Sequence, residues 1–156
     1  MRAHQKAFAG KGNLGRHHAR VHINLHPGTK PISLPPYHAS LAKREIIDSQ
    51  LDAWLEQEVI KPSNSPWGAP VIIVHHNGKN RLCMDWRKLN ERTVPDKIPI
   101  PHQMDILQAL SGTQYISTFD ALSGFMQLEF KPESWEKTAF RMHQGLYQVL
   151  RMPFGW

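Results

Sequence analysis

The run Val71-Ile72-Ile73-Val74-His75-His76-Asn77-Gly78-Lys79-Asn80-Arg81-Leu82-Cys83-Met84-Asp85 reads as two strands folded back on a tight turn. β-Branched residues crowd its first arm and suit a pleated, buried surface. Asn77-Gly78 is the turn signal, because a two-residue hairpin whose twist matches its strands needs positive φ at both central positions. The return strand is expected over 81–85. Lys79 and Arg81 then stand as cations at the exposed end of the ribbon.

Toward the amino terminus, Ser63 to Pro70 form a rigid connector rich in proline and serine. Before it, Ile47, Leu51, Trp54, Leu55 and Val59 recur at the spacing of one helical face, with charged residues filling the rest, so an amphipathic helix is predicted over 40–58. Ser40 is its expected N-cap, and Lys43 at the third helical position denies it a capping box. Ile60-Lys61-Pro62 is read as the end of the helix. Toward the carboxyl terminus, Pro95, Pro99 and Pro101 exclude regular structure through 95–100, after which 102–110 reads as a short helix closed by Ser111-Gly112. The β-rich run Tyr115-Ile116-Ser117-Thr118-Phe119-Asp120 follows, and Ala121-Leu122-Ser123-Gly124-Phe125 turns sharply away from it. A second hairpin is expected from 138–142 and 146–151, around His143-Gln144-Gly145. Helices interspersed with hairpins make the fold class α+β.

The 156 residues are about one domain's worth of chain, taking roughly 150 per domain. The formal charge is +6 with the ten histidines neutral, which points to an anionic partner, nucleic acid first. That charge is unevenly spread. Residues 1–44 carry eight Lys and Arg and no acid, whereas 45–156 carry eleven bases against thirteen acids. Residues 1–38, with their scattered glycines and prolines, are therefore read as a basic, largely irregular arm, extended or mobile. The single cysteine, Cys83, rules out an internal disulfide and fits an intracellular, reducing setting. No apolar stretch approaches the ~20 residues of a membrane span, and the first 25 residues lack the apolar run of a secretory signal.

Two groups of residues raise a metal. His18, His22 and His26 would share one face of a helix, but Pro27-Gly28 follow at once and no Cys or carboxylate lies nearby, which favours three ordinary histidines. Asp120 is a carboxylate at the end of an apolar strand followed by small residues, the local arrangement of Mg²⁺-dependent phosphoryl-transfer sites. Taken alone it favours the ordinary role of strand-end turn or helix N-cap, because a two-ion site needs at least two carboxylates.

The strings LPPYHAS (34–40), EQEVIKPSNSPWGAPVIIV (56–74), NGKNRLCMDWRKLN (77–90), PIPHQMDILQALSGTQYISTFDALSGFMQLEF (99–130) and KTAFRMHQGLYQVLRMPFGW (137–156) together change the weighing. In this order they resemble the amino-terminal part of a reverse transcriptase from a long-terminal-repeat retrotransposon of the Gypsy (metavirus) type. The resemblance implies a right-hand polymerase, with 1–38 as a basic linker, 39–95 as fingers and 96–156 as the beginning of a truncated palm. It also implies RNA template, DNA primer and deoxynucleoside triphosphates as partners, Mg²⁺ as cofactor, and the remainder of a polyprotein.

Position by position, Asp120 matches the first catalytic aspartate, with the Ala121 carbonyl a ligand of the same ion. Ser123 and Gly124 match backbone donors to the triphosphate, and Phe125 matches the steric gate against a ribose 2′-hydroxyl. Arg81, with Lys79, matches the fingers cations that meet the triphosphate, and Phe154-Gly155 the segment beneath the templating pair. Asp85 and Arg87 are expected to pair structurally, and Trp54, Trp67, Trp86 and Trp135 to pack rather than stack on bases.

Two departures stand out. His75-His76 occupy positions where the family usually has lysines, which should weaken triphosphate binding at neutral pH. The Tyr-x-Asp-Asp aspartates that belong beyond the Pro-Phe-Gly segment are missing, and the sequence holds no Asp-Asp. The chain alone is therefore expected to be an inactive polymerase fragment. Its second hairpin is expected to lack partner strands, leaving Val149, Leu150 and Phe154 uncovered. Other readings are a non-catalytic nucleic-acid binder that works through the basic arm, and a decayed transposon relic.

Overall fold

The computed structural model describes residues 14–15, 17–76, 78–121 and 123–156, and of His76 and Lys79 only the backbone. The predicted helix is α1, Leu41–Glu56, with Ile47, Leu51 and Trp54 buried. Ser40 caps it by backbone alone, its carbonyl accepting the Arg44 N–H at 3.0 Å, while its hydroxyl makes no cap bond. The helix stops where Glu58 takes a positive φ of 53°. That turn lets the Val59 N–H donate to the Trp54 carbonyl at 2.9 Å and drives Val59 into the core.

Ile60–Pro62, expected only to end the helix, form a strand, β2. The predicted ribbon is β3, Ala69–His76, and β4, Lys79–Met84, in antiparallel register from Val71↔Met84 to His76↔Lys79. Gly78 has the expected positive φ, 69°; Asn77 lies outside the described residues. A helical turn α2, Arg87–Asn90, follows, and the predicted short helix is α3, Gln103–Ala109. The second hairpin is β6, Ala139–Met142, and β7, Gly145–Val149.

These strands form a single five-stranded sheet in the order β2-β7-β6-β3-β4. It is antiparallel except where β3 meets β6, with Ala69 opposite Phe140 and Pro70 opposite Arg141. The second hairpin is thus paired on both edges, and the expectation that it would lie unpaired is corrected: Val149 is buried, sealed by β2. Phe154 alone of the three named apolar residues stays half exposed. Phe140, Leu51, Val59, Val149 and Trp86 form the centre of the core.

Uncovered apolar surface does occur, elsewhere. Residues 113–121 carry no regular structure, and Tyr115 and Phe119 are 91% and 89% exposed. The predicted strand over 115–120 is absent for a physical reason: β-propensity expresses itself only where a neighbouring strand supplies the ladder, and among the described residues none pairs with this segment.

The described part of the arm is largely irregular, as expected, but it is laid along the body. Arg20–Val21 (β1) pair in parallel with Glu129–Phe130 (β5), and Leu25 bridges to Thr93 and Ser33 to Gly68. Ile23 is buried, its N–H donating to Ser134 Oγ at 3.0 Å, while Lys137 Nζ donates to its carbonyl at 2.9 Å. No described helix is long and apolar enough to cross a membrane.

Candidate nucleotide-binding cleft

The ribbon, α1 and the residues after Asp120 converge on an open cleft of about 540 Å³. Arg81 enters from β4, Trp54 from α1, Ser123 and Met126 from the turn after Asp120, Phe154 from the carboxyl-terminal segment and Leu14 from the arm. Arg81 is held opposite Val74 in the two-stranded ribbon, so its charge is presented from a rigid support. Burial pushes the neighbouring Cys83 thiol up in pKa, and the Arg81 charge partly offsets that.

Ser123 adopts the left-handed conformation, φ 48° and ψ 45°, which produces the sharp turn the sequence suggested. A 3₁₀ helix, Gly124–Gln127, follows at once. Space is tight at Gly124, where a Cβ would lie 3.3 Å from that of Ala121. Phe125 is half exposed and meets Phe154 edge to face at 5.5 Å between centroids. The fold therefore gathers Arg81, Ser123 and Phe154 at one cleft, with Gly124 and Phe125 on the adjoining turn. The Lys79 side chain lies outside the described residues.

Asp120 and Ala121 sit on the exposed irregular segment. Asp120 offers the hard oxygen suited to Mg²⁺, but among the described residues no three His, Cys, Asp or Glu side chains gather to hold an ion. The donors among the described residues are the right kind and too few to hold an ion by themselves. The three arm histidines do not share a helical face; His22 Nδ1 is 3.2 Å from Ser134 Oγ and 3.4 Å from a Glu133 oxygen.

Asp85 and Arg87 pair as expected, in a fork of 2.8 and 2.6 Å, and the Tyr37 hydroxyl donates to the same carboxylate at 3.0 Å. The Arg87 guanidinium holds the Asp85 carboxyl well below the usual carboxylate range. Of the four tryptophans expected to pack, 54, 67 and 86 are buried, while Trp135 carries Lys61 over its ring at 4.0 Å.

A second cleft, about 450 Å³, escaped the sequence reading. Lys43 and Arg44 reach it from α1, Ile72 from β3, and Arg141 and His143 from the second hairpin. Arg44 Nε is buried there without a hydrogen-bond partner. Only the fold brings these cations together, since Lys43 and Arg141 are separated by the whole ribbon.

No protein-family model matches the chain. Over 131 residues it is 40% identical to the Retrovirus-related Pol polyprotein from transposon 297 of Drosophila melanogaster, a match covering 80% of this chain and 12% of the relative. The corresponding polyprotein from transposon gypsy of the same organism is 32% identical over 133 residues, 81% of this chain and 13% of its own length. The chain is a homologue of Gypsy-type retrotransposon Pol polyproteins. It spans about an eighth of the length of these relatives.

The enzymatic polyprotein of cauliflower mosaic virus (strain Strasbourg) is 35% identical over 141 residues, which is 87% of this chain and 21% of that protein. Among solved structures, native prototype foamy virus protease-reverse transcriptase superposes with a TM-score of 0.78 at 28% identity, covering 94% of this chain and 20% of that one. The foamy viral protease-reverse transcriptase in complex with dsDNA gives a TM-score of 0.79 at 26% identity, covering 94% and 31%. The α+β fold of this homologue is accordingly that of the fingers and early palm of a reverse transcriptase.

Proposed function

We propose that the chain is the nucleotide-facing part of an RNA-directed DNA polymerase, working in a retrotransposon polyprotein inside the cell. The observation that carries this reading is the convergence of Arg81, Ser123 and Phe154, from three remote segments, on one cleft beside the half-exposed Phe125. In the reaction the primer 3′-hydroxyl attacks the α-phosphate of a deoxynucleoside triphosphate and pyrophosphate leaves. The enzyme's share of this is positioning and charge stabilisation.

The Arg81 guanidinium binds phosphate oxygens in a fork, and the Ser123 and Gly124 N–H groups donate to the same triphosphate. The Phe125 ring, in edge-to-face contact with Phe154, is assigned the exclusion of a 2′-hydroxyl. Mg²⁺ would neutralise the triphosphate, with Asp120 and the Ala121 carbonyl giving part of its ligand shell and further carboxylates completing it. The basic cleft of Lys43, Arg44 and Arg141 suits the phosphates of an RNA template paired to a DNA primer, and the foamy viral protease-reverse transcriptase, which shares the fold, has been solved in complex with an RNA/DNA hybrid.

The reading is tested by titrating the chain with dATP and Mg²⁺ while following tryptophan fluorescence. Loss of a charge-assisted pair is worth about 1.5–3 kcal/mol, so Arg81→Ala is expected to weaken binding by roughly ten- to a hundredfold. Equal affinity in the two proteins would refute the assignment.

A further inference from the structure

We infer that the arm and Arg151 together form a brace that positions the 3₁₀ turn carrying Phe125, so that Leu14, Gly15 and His17 belong to the nucleotide site. Arg151 is 6% exposed, and its Nη1 donates to two carbonyls at once, that of Gly15 in the arm and that of Met126 in the turn, each at 3.0 Å. Its Nη2 lies 3.8 Å from Glu129, which also meets Arg20 of the arm at 3.6 Å. Beside this, the His17 N–H donates to the Gln127 carbonyl at 3.1 Å, and Leu14 lines the cleft with Ser123, Met126 and Phe154. The two segments lie in direct contact: a Cβ on Gly15 would stand 3.0 Å from the Gln127 amide oxygen.

Backbone carbonyls near the ends of so short a helix have few intrahelical partners, so an external cation that binds one of them fixes the turn. The two N–H donors of Nη1 are held at a fixed angle in the guanidinium plane, so one amino group serves both carbonyls in a set geometry, whereas a lysine ammonium can reach both but rotates freely. The ring on that turn must stand within a fraction of an ångström to separate hydrogen from hydroxyl at a sugar carbon. A brace on its backbone therefore sets selectivity as well as stability. This inference rests on the reading of Phe125 as the residue that meets the sugar. Arg151 is a positioning residue, since it acts through Met126.

The test uses the 156-residue chain, an Arg151→Gln variant, an Arg151→Lys variant and a form lacking residues 1–17, each checked by its melting curve. The deletion leaves the five-stranded sheet and Arg151 in place, so it keeps the proposal open to refutation if Arg151→Gln does not fold. Amide exchange over 124–128 is expected to speed by about tenfold or more in the glutamine variant and the deletion. The preference for dATP over ATP is expected to fall several-fold in both, with partial recovery in Arg151→Lys. A merely structural role would lower the melting temperature and weaken both nucleotides alike.

Unchanged exchange over 124–128 in the folded deletion overturns the brace. Faster exchange with an unchanged dATP:ATP ratio overturns its role in selectivity. Failure of the unmodified chain to bind either nucleotide counts against the polymerase reading instead, and the exchange result then decides the brace by itself.

Discussion

Joined to the palm segment of a Gypsy-type relative that carries the two further aspartates, this chain is expected to extend a DNA primer on an RNA template. Asp120→Asn in the joined protein is expected to lower the rate on the order of a thousandfold or more, because a metal-bound carboxylate contributes several kcal/mol to charge stabilisation in the transition state. The 156-residue chain alone is expected to incorporate nothing. The reasoning is structural as well as chemical. Asp120 ends a β-prone run that stays irregular and exposed here, and among the described residues no strand pairs with it and no three metal-ligating side chains gather to hold an ion. A partner strand would supply the missing ladder and hold the aspartate in place. Primer extension measured on both proteins decides it; incorporation by the chain alone that Asp120→Asn abolishes would contradict the account.

Phe140→Ala is expected to cost about 3–5 kcal/mol, a large share of the stability of a domain this size. Phe140 is fully buried in β6, between β7 and β3, and its ring stacks on Tyr147 at 6.0 Å with 28° between planes. Its strand joins the Arg81 ribbon to the rest of the sheet, so the cleft should loosen with the core. Urea denaturation gives the value directly. A loss below about 1 kcal/mol would mean that the sheet does not depend on this strand.

Local signals carried much of the fold. The helical spacing of Ile47, Leu51 and Trp54 located α1, and the β-branched run with Asn77-Gly78 located the ribbon, because in both cases the deciding contacts lie within about twenty residues. The second hairpin was legible for the same reason. Its neighbours were not. Ile60–Pro62 is too short to show a period and ends in a proline, and its pairing with Tyr147–Val149 is set by long-range closure. That pairing also buries Val149, where the sequence suggested an open edge.

Tyr115 to Asp120 failed in the opposite sense, since strong strand propensity could not act without a partner strand among the described residues. At the site, Arg81, Ser123, Phe125 and Phe154 were nameable through their motifs, whereas Arg151 was not. An arginine before Met152-Pro153 looks like a surface cation until Gly15 and Met126 are seen on either side of it. The basic cleft was hidden likewise, because Lys43 and Arg44 were counted with the arm and Arg141 with the second hairpin.

The central claim is that a deoxynucleoside triphosphate lies between the ribbon and the turn after Asp120. Photolabelling the chain with an azido-dATP and mapping the adducts by mass spectrometry measures this most directly. Adducts are expected in the peptides that contain Arg81, Ser123–Met126 and Phe154, and excess dATP should suppress them. Labelling confined to the basic arm or to the Lys43–Arg141 cleft, or unaffected by excess dATP, would contradict the claim.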